Sequence, residues 1–94
     1  MGTAPSMTPD LQQIIDHVRA EVPDVEWTQT WVSHAADDDG LWHFRRRGQH
    51  SWTVQIESWT GNCPFLVEGD GHGERRDGVA TPAEVAEIVV AWLR

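Results

Sequence analysis

Apolar positions in the first part of the chain recur at helical spacing. Leu11, Ile14, Ile15, Val18 and Val22 follow the i, i+3, i+4, i+7 stripe of a helix that buries one side. Ahead of them, Thr8-Pro9-Asp10 supplies a Thr N-cap, a Pro at the first helical position and an acid where the helix dipole favours it. Pro23 ends the stripe, because a residue before Pro is pushed out of the helical region. Residues 1–7 are small, polar and without period, so a disordered tail is expected before a single domain spanning 8–94.

From Val25 to Glu68 the period becomes two. Val25, Trp27 and Trp31 share one face of a first strand, with Thr28, Thr30 and Val32 on the other. After the turn Ala36-Asp37-Asp38-Asp39-Gly40, Trp42, Phe44 and Arg46 alternate with Leu41, His43, Arg45 and Arg47. A third strand sets Trp52, Val54 and Ile56 against Ser51, Thr53, Gln55 and Glu57, and Pro64 to Glu68 reads as a short fourth. A three-residue loop, Gly48 to His50, pairs Phe44 with Val54 and Trp42 with Ile56. A two-residue loop would turn Phe44 away from Val54, so burial selects the longer one. With Trp59 opposite Pro64, the count carries Ile56 onto Val67 and Ser58 onto Phe65.

Gly69 to Gly78 reads as a mobile polar loop. Thr81-Pro82-Ala83-Glu84 is a capping box, in which the Thr oxygen and the Glu carboxylate each take a free backbone N–H; Val85, Ile88, Val89 and Trp92 form the stripe of a closing helix. The expected fold is α+β: a two-layer α-β-β-β-β-α arrangement, with a four-stranded antiparallel meander and both helices on its Trp-rich face. That face would hold Trp27, Trp31, Trp42, Phe44, Trp52, Val54, Ile56, Phe65 and Val67. The reverse face would carry Thr28, Thr30, Val32, Leu41, His43, Arg45, Thr53, Gln55, Glu57, Trp59 and Leu66.

Composition narrows the chemistry. Fifteen acids stand against seven bases, all of them Arg, for a net charge of −8. Such a balance repels a nucleic-acid backbone and steers a basic partner toward the chain. No apolar run approaches the ~18 residues of a membrane span, and the N-terminus lacks the basic and apolar regions of a signal peptide. With one Cys, which cannot form an internal disulfide, these features lead to an expected cytoplasmic location and no membrane partner.

No motif specifies a reaction. The Asp37-Asp38-Asp39-Gly40 turn lacks the alternating ligands of a calcium loop, His43 on the outer face and His50 in the turn do not converge, and neither metal nor cofactor is expected. Cys63 has nothing in its sequence neighbourhood to lower its pKa, and Ser33, Ser51 and Ser58 lie in no nucleophile elbow. Gly69-x-Gly71-x-Gly73 departs from dinucleotide spacing and carries Asp70 and Glu74, which repel phosphate. In the run Arg45-Arg46-Arg47, strand alternation sends Arg45 and Arg47 outward and leaves Arg46 at the rim. The outward pair can meet a phosphate or an acidic partner, or pair across the sheet with Glu26 or Glu57.

The segment Cys63-Pro64-Phe65-Leu66-Val67-Glu68, followed by a Gly-rich loop and Thr81-Pro82-Ala83-Glu84-Val85, resembles small bacterial α+β domains. Some of these are similar to toxin-neutralising immunity proteins. The resemblance covers the last third of the chain and transfers no functional residue. Joined to the charge, it gives the expected function: a non-enzymatic protein-binding module, such as an immunity or inhibitor protein, for a partner with a basic surface. Its expected contact residues are Trp59, Glu57, Leu66, Asp37, Asp38, Asp39 and Arg45, with Trp59 the large aromatic of an open polar face. Two alternatives stand beside it: a small-ligand binder or enzyme using loops 60–63 and 69–78, and an acidic mimic of nucleic acid. The open face and the edge strands also permit a homodimer.

Overall fold

The Thr8 hydroxyl oxygen accepts the backbone N–H of Leu11 at 3.1 Å, and helix α1 runs from Pro9 to Glu21 as its capping residues dictate. The computed structural model describes residues 8–30, 40–48, 53–58, 61–69 and 74–94; the expected tail at 1–7 lies outside them. Leu11, Ile14, Ile15 and Val18 are the buried side of α1, and Val22 closes it with an N–H donated to the Val18 carbonyl.

Strands β1 (Val25–Thr30), β2 (Gly40–Arg46), β3 (Val54–Ser58), β4 (Phe65–Gly69) and β5 (Glu74–Val79) form one antiparallel sheet in sequential order, and helix α2 spans Pro82–Leu93. The β2–β3 register is the one that burial selects, Phe44 on Val54 and Trp42 on Ile56, and Ile56 pairs onward with Val67. Trp42, Phe44, Val54, Ile56, Phe65 and Val67 are buried on one face, joined in a single core to the apolar sides of both helices. Trp27 is half-buried at the β1 edge of that face; Trp31 and Trp52 lie outside the described residues. Burial of this one face by both helices is the expected two-layer architecture.

Small residues set the spacing in this layer. Gly40 faces the buried Ser58, and the Trp42 indole lies near Gly61, where an added Cβ would sit 3.5 Å from it. Trp42 also meets Phe65 in a tilted pair with ring centroids 6.2 Å apart. Gly69 leaves room for Trp92, whose ring would lie 3.1 Å from a Cβ at that position.

Three expectations are corrected. The sheet has five strands, because Glu74–Val79 pairs with β4 instead of remaining in a mobile loop. Its side chains are exposed until Val79, so it has no burial alternation to read. It is held by main-chain bonds, with a register shift opposite Leu66 accommodated by Gly78 at φ +62°. The buried side of α2 is Val85, Ala86, Val89, Val90 and Leu93, with Ile88 and Trp92 half-buried. A helix touching both a sheet and α1 buries a wider arc than one stripe. Finally, Thr81 accepts the Glu84 N–H at 3.2 Å, but the Glu84 carboxylate accepts from the Thr81 hydroxyl at 2.9 Å instead of from a backbone N–H.

Candidate docking face

The sheet face away from the helices is built by strand register alone, which lines its side chains up in cross-strand rows. One row runs Leu41, Glu57, Leu66 across β2, β3 and β4. The next crosses all five strands as Thr28, His43, Gln55, Glu68 and Arg75. A third begins with Glu26 opposite Arg45. Leu41, His43, Gln55, Glu57, Leu66 and Glu68 are half-buried, while Thr28, Arg45 and Arg75 are exposed. The apolar sides of α1 and α2 belong to the core cluster of the opposite face, and α2 contacts β2 to β5 from there.

Most charges on this face are already met. The Arg45 Nε donates to Glu26 Oε1 at 3.2 Å, and Arg47 reaches the other oxygen of the same carboxylate at 3.5 Å. Glu26 therefore decides the fate of the arginine run, with Arg46 turned to the rim and donating to Asp24 at 3.1 Å. The Gln55 side-chain amide donates to Glu68 at 3.2 Å, and Arg75 pairs with Asp77 at 3.5 Å. Glu57 has no ion-pair partner among the described residues. All seven arginines lie among those residues, and the chain has no Lys, so neither Arg nor Lys of this molecule neutralises Glu57.

Of the expected contact residues, the structure brings Glu57 and Leu66 together as direct cross-strand neighbours and places Arg45 on the same face, held by Glu26. Trp59, Asp37, Asp38 and Asp39 lie outside the described residues. Leu41 belongs with Glu57 as much as Leu66 does, and the alternation of β2 around buried Trp42 and Phe44 was the signal for it.

The loop suggested for a ligand pocket is tied down at residues 61–63. The Thr8 hydroxyl donates to the Gly61 carbonyl, the Ser58 hydroxyl to the Asn62 carbonyl, and the Cys63 N–H to Asp10 Oδ2 at 2.9 Å. The start of α1 thus closes onto this loop. Burial, then the neighbouring Asp10 carboxylate and its hydrogen bond, then Glu84, push the Cys63 thiol up to about 11. A thiol so shifted carries little thiolate at neutral pH, which disfavours nucleophilic use. His72 lies outside the described residues. Among the described residues no three His, Cys, Asp or Glu side chains are grouped to hold a metal ion, and no helix is long and apolar enough to cross a membrane.

A separate cleft of about 810 Å³ opens along β1, lined by four consecutive residues of that strand, Val25 to Thr28, with Arg19, His43 and Arg45 among its other walls. Lining by consecutive residues means that it follows the outer edge of β1 as well as a face. No family model, curated protein or solved structure matches the chain.

Proposed function

We propose that this chain is a small non-enzymatic protein-binding module, of the immunity or inhibitor kind, that docks its helix-free sheet face against a partner with a basic surface. The observation that carries the reading is the row Leu41–Glu57–Leu66, apolar positions around an unneutralised carboxylate, on the face that the helices leave open. Interface cores combine apolar contact with a few placed polar groups, and the net charge of −8 supplies long-range attraction for a cationic partner.

The test uses a photo-reactive amino acid placed at Thr53 on the open face or at Gln13 on the exposed side of α1, followed by crosslinking in lysate of the source organism. The expected result is a defined protein captured from position 53 and not from 13, with less capture as salt rises. Equal capture from both positions, or none from 53, would overturn the reading. A second reading, a small-ligand binder, is favoured by the cleft along β1. A rise in melting temperature on screening anionic metabolites, lost in Arg19→Ala, would select it instead.

A further inference from the structure

Resting on that reading, the geometry points to the kind of side chain the partner inserts: a single arginine or lysine whose cationic head meets Glu57 while its aliphatic stem lies across Leu41 and Leu66. Glu26 is met twice, by Arg45 and Arg47; Asp24, Glu21 and Asp77 each have one arginine, and Glu68 has the Gln55 amide. Glu57 sits near the centre of the same face and has no such partner among the described residues. Glu57 is therefore the carboxylate of this face left with no side-chain partner among the described residues, while Glu68, also without an arginine, is held by the uncharged Gln55 amide.

The flanking residues select the shape of that cation. Residues directly opposite one another in antiparallel strands have Cβ atoms about 5 Å apart, so both leucines border the carboxylate. Lys and Arg bury their methylene stems on apolar surface while keeping the head free to bond. A bare metal ion or a small ammonium ion would gain nothing from the leucines. An arginine would gain from both, because its fork matches a carboxylate with two hydrogen bonds. As a partner docks and water leaves, the pairing strengthens, since the same charges interact more strongly at lower effective dielectric.

Titration of the ¹⁵N-labelled protein with N-acetyl-arginine amide, followed by backbone chemical shifts, tests the pairing directly. N-acetyl-citrulline amide is the uncharged control of nearly the same shape. Shifts are expected to centre on residues 41, 57 and 66 with the arginine probe, to weaken in high salt, and to be absent with citrulline and in Glu57→Gln. Glu26→Gln should leave them unchanged. Equal shifts with citrulline, or shifts centred on other carboxylates, would overturn the inference. The crosslinking arm separates this result from the wider reading. Capture from position 53 that falls about 10–100-fold in apparent affinity in Glu57→Gln supports the pairing. Capture unchanged by that substitution removes the pairing and leaves the docking face standing.

Discussion

Thr8→Val tests whether α1 is positioned by its own cap or by its tie to the β3–β4 loop. Valine keeps the branched shape and the methyl that packs beside Gly61, but removes the hydroxyl. That hydroxyl accepts the Leu11 N–H and donates to the Gly61 carbonyl, two bonds from one oxygen. Losing an N-cap costs about 1 kcal/mol, and leaving a partly buried carbonyl without its donor costs about 1 more. Thr81→Val is the matched comparison, since Thr81 caps α2 in the same way but in an exposed place and with a hydroxyl that donates only to Glu84. It should cost about 1 kcal/mol. For a domain this size, each kcal/mol lowers Tm by roughly 4–8 °C, so calorimetry should find Thr8→Val about twice as damaging. Thr8→Ser retains both bonds and should lie close to the parent protein. If Thr8→Val and Thr81→Val lose the same amount, the bond to Gly61 contributes nothing and the loop does not position α1.

Gly61→Ala combines a φ of +78° with a Cβ 3.0 Å from the Thr8 methyl, and urea unfolding should find it destabilised by about 1–3 kcal/mol. Gly69→Ala meets the Trp92 ring at 3.1 Å without a positive φ, so a smaller loss of about 1 kcal/mol should accompany a change in Trp fluorescence. Folding raises the Cys63 thiol from 9.0 to about 11, so the unfolded chain releases its proton first; stability is intact below pH 9, declines through pH 11, and loses this dependence in Cys63→Ala. Leu41→Arg puts a cation opposite Glu57 within the molecule; stability should change by under about 1 kcal/mol, and the arginine-probe response should vanish.

Both helices and the order of the first four strands were legible because each carries a burial pattern with its own period, and because Thr-Pro marks each helix start. The register of β2 on β3 was legible for a related reason: a short loop offers few choices, and only one buries Phe44 with Val54. β5 lacked both signals. Five of its six residues are exposed, so its pairing rests on backbone groups that every sequence possesses. The tie between the start of α1 and residues 61–63 was invisible for another reason. Its partners stand 53 positions apart, and nothing local to Asp10 or to Cys63 marks the other.

The candidate site shows the same division. Alternation was enough to split Arg45 and Arg47 from Arg46, but it left Glu26 and Glu57 as equal choices for the outward pair. The β2–β3 register removes Glu57 by seating it opposite Leu41, but Glu26 is brought in only by the β1–β2 register, and those strands are separated by residues 31–39. A connection that long does not fix pairing as a tight turn does. Once Glu26 falls opposite Arg45, the outcome follows from valence: one carboxylate has two oxygens, Arg45 takes one and Arg47 the other. Arg46 is turned to Asp24, while Arg75 pairs with Asp77 and Arg94 with Glu21. Arg19 and Arg76 are left, and neither forms an ion pair with Glu57. An acid without an arginine in an open apolar row is thus a product of register: the β2–β3 pairing seats Glu57 opposite Leu41, four residues along β2 from Arg45, while Arg45 and Arg47 close on Glu26.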